Sequence, residues 1–137
     1  MTAHIVYNGE LRTAATHVRS GTAIETDAPV DNKGKGERFS PTDLVAVALA
    51  TCMFTTLGIA GPAHDLDIDG AECEVTKVMS SEPPRRIAEI VVAISFPKSK
   101  PFTDKQKSKI EHIANTCPVY ISLHPDLKKT ISFVWPE

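Results

Sequence analysis

The chain has 137 residues, of which 42% are hydrophobic and 23% are charged, and this balance is typical of one globular domain with its own core. The formal net charge of -2 argues against a nucleic-acid-binding protein. The segment after Met1 lacks the layout of a secretory signal peptide, and three cysteines are too few for a secreted disulfide scaffold. We therefore expect a single domain spanning residues 1–137, a cytoplasmic location, and neither a nucleic-acid nor a membrane partner.

The N-terminal part of the chain predicts a three-stranded antiparallel meander. The candidate strands are residues 3–8, 11–18 and 22–27, which are rich in apolar and β-branched side chains. Asn8-Gly9 and Ser20-Gly21 separate these strands, and Asn-Gly is a strong hairpin signal. A meander of this size is not stable alone, so we expect it to need a further surface to pack against.

A long apolar helix is predicted next. Ser40 is a good N-cap, Pro41 suits the first helical position, and Asp43 stands three residues after Ser40 in a capping-box arrangement. The helix ends near Gly61 and is apolar on nearly every side, which predicts burial on nearly every side. Residues 44–60 include three threonines and are at the short limit for a membrane span, so we interpret them as a core helix.

The remaining segments predict two strands, a helix and a last strand. The strands are residues 71–79 and 87–96, the helix starts around Asp104, and the last strand is residues 130–135. The apolar positions of this second helix have helical spacing and are Ile110, Ile113, Ala114 and Cys117.

The predicted element order, βββαββαβ, favours an α+β fold over a doubly wound sheet. One small sheet cannot cover all faces of the apolar helix, and the meander also lacks a partner surface. An intertwined homodimer would solve both problems.

Cys52 and Cys117 are the candidate functional residues. Cys52 lies inside the predicted helix, and Cys117 precedes Pro118, which disfavours helical geometry at the residue before it. Cys52 alone is explained equally well as a small buried apolar side chain, and Cys117 alone is more often structural than functional. A thiolate roughly three turns into the helix would need a nearby cation, for which Arg19 and Arg38 are candidates. If the fold brings the two Cα atoms within about 7 Å, the pair can cycle through a disulfide.

Other chemistries have weaker support in the sequence. Cys73 falls on the apolar face of a predicted strand, and we interpret it as a core residue. Zinc binding by Cys52, Cys117 and a histidine lacks a ligand-spacing motif. Residues 65–70 imitate the start of an EF-hand loop, but Thr76 stands where that loop has glutamate. We therefore predict no metal and no cofactor.

Three segments along the chain carry a family resemblance. They are residues 20–29, Ser-Pro-Thr-Asp-Leu at 40–44 with Ala-Leu-Ala-Thr-Cys at 48–52, and Cys-Pro-Val at 117–119 with Ser-Leu at 122–123. In this order and spacing they resemble the OsmC/Ohr family of osmotically inducible and organic hydroperoxide resistance proteins, and most closely its OsmC-like branch. The resemblance covers nearly the whole chain.

The resemblance implies an α+β fold built as an intertwined homodimer, with two active sites at the subunit interface. It also implies a cysteine-dependent peroxidase that reduces organic hydroperoxides in oxidative-stress defence. Cys52 would be the peroxidatic cysteine, Cys117 the resolving cysteine, and Arg19, on an N-terminal strand, the arginine that holds Cys52 as a thiolate. A dithiol would be the reductant, with the lipoyl type as the family precedent, and no metal or flavin would be required. The apolar wall that would favour fatty hydroperoxides is Leu44, Val47, Leu49 and Phe54.

One position departs from the family pattern. The Ohr branch has a glutamate directly after the proline of the central helix, where it orients the arginine, and Thr42 stands at that position here. Asp43 is the next residue, but one helical step turns a side chain by about 100°. Asp43, Glu37 and Glu25 are therefore all candidates for the carboxylate. The departure leaves a second hypothesis, a non-enzymatic OsmC-like dimer that binds an apolar small molecule or a partner in the same interfacial pocket, next to the basic loop around Arg38.

Overall fold

The computed structural model describes residues 1–136 and has the predicted α+β class, with the six predicted strands and two predicted helices in the predicted order. The elements are β1 Ala3–Gly9, β2 Arg12–His17, β3 Ala23–Asp27, α1 Pro41–Ala60, β4 Glu72–Met79, β5 Ile87–Ser95, α2 Asp104–Ala114, α3 Pro118–Ser122 and β6 Lys128–Val134. The short helix α3 was not predicted, because one turn is too short to produce a hydrophobic period. The chain divides into two compact units, Met1–Val45 and the part from Ala46 onward. That the chain is a single domain stays a prediction.

The first unit contains the predicted meander, with strand order β1-β2-β3 and antiparallel pairing throughout. Its register aligns Ile5, Ala15 and Ile24 in one row across the sheet. Ile5 is 64% exposed and Ile24 is 49% exposed. Within residues 1–45, all of which the structure describes, no apolar side chain is buried, and the buried residues are Thr26, Asp27 and Ser40.

A bidentate ion pair between Arg12 and Asp27 is the main buried interaction of this unit. Arg12 lies opposite Asp27 in the β2–β3 register. Its Nε and Nη2 donate to the two carboxylate oxygens of Asp27 at 2.7 and 2.8 Å, and the backbone N–H of Glu37 donates to the same carboxylate at 3.1 Å. Asp27 is only 1% exposed. The hydrogen bonds from Arg12 lower the pKa of Asp27, so the pair ties the β2–β3 hairpin to the loop before α1.

The start of α1 is capped as predicted. The Asp43 N–H donates to Ser40 Oγ at 3.0 Å, and the Ser40 N–H donates to Asp43 Oδ2 at 2.9 Å. The hydroxyl groups of Ser40 and Thr42 are also hydrogen-bonded, at 3.1 Å. This reciprocal arrangement is a capping box, so the Asp43 carboxylate serves the helix terminus.

The second unit holds the hydrophobic core. Its sheet has the order β4-β5-β6, with β5 antiparallel to β4 and parallel to β6. Alternate residues of β5 are fully buried at Ile90, Val92 and Ile94. The other main contributions to the core come from α1 and α2, at Ala46, Leu49, Ala50, Met53, Leu57, Ile110, Ile113 and Ala114.

The burial of α1 is more one-sided than predicted. Its buried residues recur at helical spacing and form a single stripe, while Thr51, Thr55 and Ile59 are exposed, Ile59 to 78%. One sheet and one helix in the same unit can cover only one side of a helix. The stretch Pro41–His64 also has the length and composition of a membrane span, which is weak evidence because core helices of soluble proteins share these properties. The buried stripe supports the core-helix interpretation.

We expect Asp27→Asn to lower the Tm by about 5 °C or more, because it removes the buried carboxylate that pairs with Arg12 and leaves only the exposed Glu37 as a charged partner. The folded pKa of Asp27 is lowered, so its contribution is complete above the unfolded pKa of about 3.9 and is lost as the pH falls through the folded pKa. The Tm difference from wild type should therefore be constant from about pH 7 to pH 5 and shrink below about pH 4.

The matched control for this measurement is Glu25→Gln. Glu25 pairs with Arg38 at 3.2 Å, with both side chains 43% exposed, so its loss should change the Tm by only about 1–2 °C. Equal losses in the two variants, or a difference at Asp27 that does not depend on pH, would contradict the assigned role of the pair.

Candidate active site

The structure brings the side chains of Cys52 and Cys117 together within the second unit. Cys52 lies in the middle of α1 and is half-buried, whereas Cys117 is fully buried at 0% exposure. Both are free thiols. Burial raises the pKa of the Cys117 thiol, and hydrogen bonding and charge from the adjacent Cys52 raise it further. An accessible thiol therefore lies next to an inaccessible one.

The buried stripe of α1 determines the position of Cys52. Leu49 and Met53 are stripe residues three positions before and one position after Cys52, and both are fully buried. Cys52 lies about 60° around the helix from Leu49, so it falls at the edge of the stripe rather than in its centre. This placement leaves Cys52 half-buried, whereas the stripe residues near it are fully buried.

Cys117 is not on the second helix, contrary to the prediction. Helix α2 ends at Ala114, and Cys117 is the extended N-cap residue of α3, with a ψ of 151°. The end of α2 is tightened, because the Thr116 N–H donates to the carbonyl of Ile113, three residues earlier, at 3.2 Å. Pro118 excludes helical geometry at Cys117, as predicted.

The capping role of Cys117 affects its charge state. The backbone N–H of Tyr120 donates to Cys117 Sγ at 3.4 Å and opposes the rise in the Cys117 pKa. Burial and the neighbouring Cys52 outweigh this hydrogen bond, so the pKa remains raised. Cys117 is accordingly a neutral thiol at neutral pH, and Cys52 is the more accessible sulfur of the pair.

The predicted apolar wall is only partly available to a ligand. Leu49 is fully buried and belongs to the core, so it cannot contact a substrate. Val47 and Phe54, also in the second unit, are half-buried and keep some accessible surface. Leu44 is half-buried in the first unit.

The predicted arginine and carboxylates lie in the first unit. Arg19 is exposed in the turn between β2 and β3, so its predicted location on a strand is wrong. The turn is closed by the Gly21 N–H, which donates to the carbonyl of His17 at 2.8 Å, and Gly21 adopts a positive φ of 75°. Two of the candidate carboxylates are paired with other arginines, Glu25 with Arg38 at 3.2 Å and Glu37 with Arg12 at 3.4 Å.

Arg12 is a residue that the sequence interpretation overlooked. It is the arginine held by the buried Asp27, and its pKa is raised by that hydrogen bonding. The signal was present in the hairpin, because pairing the two strands around Ser20-Gly21 in the correct register places Arg12 opposite Asp27. Opposite charges at such cross-strand positions are stabilising.

Cys73 lies on β4 opposite Ile94 and is half-buried, and burial raises its pKa. Its position on the sheet face that carries the buried β5 residues fits a packing role. Within residues 1–136, no three histidine, cysteine, aspartate or glutamate side chains are grouped so that they could hold a metal ion.

The family model and the solved structures that match the chain both indicate OsmC-like proteins. The family model described as OsmC-like protein matches residues 34–132. A protein of Psychrobacter arcticus 273-4, provisionally described as an osmotic stress induced and detoxification response protein, is 46% identical to the chain. That match covers 98% of this chain and 96% of the other, with a TM-score of 0.91. No protein with a curated description matches.

More distant solved structures share the fold. An organic hydroperoxide resistance protein OsmC of Legionella pneumophila is 11% identical, with 97% of this chain and 96% of that chain covered and a TM-score of 0.75. An OsmC-like protein of Mycoplasma pneumoniae is 20% identical, with coverages of 98% and 96% and a TM-score of 0.78.

Proposed function

The chain belongs to the OsmC-like protein family, and on that premise we propose that it is a thiol peroxidase that reduces organic hydroperoxides in oxidative-stress defence. Cys52 is the peroxidatic cysteine and Cys117 the resolving cysteine. The observation that carries the proposal is the adjacency of a half-buried thiol to a fully buried one. The occurrence of organic hydroperoxide resistance proteins among the structural relatives supports the reaction class.

The proposed cycle has three balanced steps. The Cys52 thiolate attacks the outer oxygen of the hydroperoxide, an S–O bond forms as the O–O bond breaks, and the leaving alkoxide takes a proton to become an alcohol. Cys52 is left as a sulfenic acid, oxidised by two electrons. The Cys117 sulfur then attacks the Cys52 sulfur, and hydroxide leaves with the Cys117 proton as water. A dithiol reductant returns both thiols by exchange and is itself oxidised to a disulfide.

The environments of the two sulfurs support this division of roles. A peroxidatic cysteine must meet its substrate, and Cys52 is accessible whereas Cys117 is not. A resolving cysteine needs only to reach the sulfenic acid, and Cys117 lies beside Cys52. Its raised pKa keeps it neutral, which avoids two adjacent negative sulfurs before the peroxide arrives.

The substrate, reductant and location complete the proposal. Val47 and Phe54 are partly accessible apolar side chains on the helix that carries Cys52, which suits a hydroperoxide with a hydrocarbon body. The reductant is a dithiol, for which the lipoyl type is the family precedent, and the location is cytoplasmic, where reduced thiols are maintained.

The proposed assembly is an intertwined homodimer. The exposed apolar row of Ile5 and Ile24 and the exposed Ile59 of α1 are surfaces that an isolated chain would leave in water. A second copy of the chain would cover them, and it would also pair the open strand edges of both sheets.

The central prediction concerns hydroperoxide consumption. Cys52→Ser should abolish consumption of cumene hydroperoxide with a dithiol reductant, because no sulfur remains to accept the oxygen. Cys117→Ser should complete one turnover and stop, with a sulfenic acid on Cys52 that dimedone traps and mass mapping locates. Cys73→Ser is the control and should keep wild-type turnover.

Peroxide consumption by both Cys52→Ser and Cys117→Ser at the wild-type rate would rule out the two-cysteine cycle. The alternative is then the non-enzymatic dimer, whose binding of an apolar ligand would not depend on Cys52.

The role of Arg19 is a separate prediction. If Arg19 favours the Cys52 thiolate, Arg19→Ala should slow hydroperoxide reduction by about tenfold or more, the amount expected for the loss of one charge interaction of about one pKa unit. Arg38→Ala is the control, since Arg38 is already paired with Glu25. Steady-state rates at pH 7 measure both, and equal rates for wild type and Arg19→Ala would remove Arg19 from the mechanism.

The assembly prediction is tested by light scattering coupled to size-exclusion chromatography. The wild-type chain should have twice the monomer mass at micromolar concentration. Ile24→Lys and Ile5→Lys should both shift it toward the monomer, because each places a charge in the apolar row. Lys33→Ala, a surface change in the loop after β3, should not alter the mass. A monomeric wild-type chain would exclude the homodimer.

A further inference from the structure

A hydroxyl group lies against the sulfur of Cys52. Thr56 is four residues after Cys52 on α1, and its Oγ1 is 3.9 Å from Cys52 Sγ. Residues at this spacing are neighbours on one side of a helix. Both side chains are half-buried, so water competes less for this contact than it would on an open surface.

The neighbouring threonines show that this contact is unusual for the helix. The hydroxyl of Thr51 donates to the backbone carbonyls of Val47 and Ala48, and that of Thr55 donates to the carbonyl of Thr51. Such bonds to the preceding turn are the ordinary arrangement of threonine in a helix. The Thr56 hydroxyl instead has a sulfur as its hydrogen-bonding neighbour, and either of the two atoms can be the donor.

We propose that the Thr56 hydroxyl donates a hydrogen bond to the Cys52 thiolate and is a positioning residue for the peroxidatic sulfur, an inference that rests on the proposed function. A hydroxyl that donates to a charged acceptor favours the charged form of that acceptor. The same bond restricts the Cys52 side chain to one direction, so the sulfur is presented to the hydroperoxide in one orientation.

The contact also suits the sulfenic acid that follows. A hydroxyl is both a donor and an acceptor, so Thr56 can donate to the thiolate and then exchange donor and acceptor roles with the Cys52 sulfenic acid. No backbone change is needed between the two states, because the hydroxyl rotates about its own bond.

The test is the pH profile of Cys52 alkylation by iodoacetamide in the full reduced chain, with mass mapping of each cysteine. Thr56→Val keeps the shape of the side chain and removes the hydroxyl. We expect it to raise the midpoint of the Cys52 profile by about one pH unit, which lowers alkylation below the midpoint about tenfold. Thr56→Ser should restore the wild-type profile, since it returns the hydroxyl.

The matched control is Thr55→Val, which makes the same substitution one residue away, at a hydroxyl bonded to the backbone. It should leave the Cys52 profile unchanged, and far-UV circular dichroism should show that both valine variants are folded. An unchanged midpoint in Thr56→Val, an equal shift in Thr55→Val, or a failure of Thr56→Ser to restore the profile would each overturn the inference.

The alkylation profile is read without peroxide, so the two proposals fail separately. If Thr56→Val shifts the profile but wild-type protein does not consume hydroperoxide, the peroxidase proposal fails and the hydrogen bond to the thiolate stands. If wild type consumes hydroperoxide and Thr56→Val does so at the same rate with an unchanged profile, only the role of Thr56 is lost.

Discussion

The candidate site depends on the orientation of α1 about its own axis, that is, on which side of the helix faces the core. A stripe of buried residues, with Leu49, Met53 and Leu57 at 0% exposure, allows the helix only one orientation against the core of its unit. That orientation places Cys52 and Thr56 at the edge of the stripe. Turning the helix by one residue would bury the sulfur or expose it fully. The core therefore sets the accessibility of the thiol as well as the stability of the unit.

The two units are stabilised in different ways. The second has a conventional apolar core, with alternate β5 residues and the inner sides of two helices buried. The first buries Asp27 in a bidentate pair with Arg12 while its apolar row stays exposed. A buried ion pair specifies geometry more than it adds stability, because desolvation offsets much of the attraction. The first unit thus has a defined hairpin but little hydrophobic stabilisation of its own. This is the physical argument for the proposed homodimer, in which a second chain would cover the exposed apolar row.

Cys52 and Cys117 differ in burial because they occupy different backbone positions, one inside a long helix and one at the start of a short helix. Cys117 caps a one-turn helix, accepts a hydrogen bond from the N–H of Tyr120, and is fully buried. Cys52 is on a continuous helix, with a hydroxyl beside its sulfur. The first environment keeps the Cys117 thiol buried and neutral, and the second leaves Cys52 half-buried. This difference between the two cysteines is the basis on which separate roles are proposed for them.

The sequence by itself determined the strands and the two longer helices, the family, and which two cysteines are the candidate site residues. Capping by Ser40 and Asp43 and the break before Pro118 are local signals, set by a few neighbouring residues. The turn predicted at Asn8-Gly9 lies instead at Glu10-Leu11, where both residues have a positive φ, and Asn8 and Gly9 belong to β1. The tertiary structure decided what depends on contacts between distant residues. The pairing of Arg12 with Asp27 needed the strand register, and the burial of Leu49 needed the direction in which α1 faces its sheet. Tertiary packing also decided that Cys52 lies beside Cys117 and that the Thr56 hydroxyl contacts the Cys52 sulfur. Periodicity predicts which face of a helix or strand a residue occupies, but it does not predict which residues pack against that face.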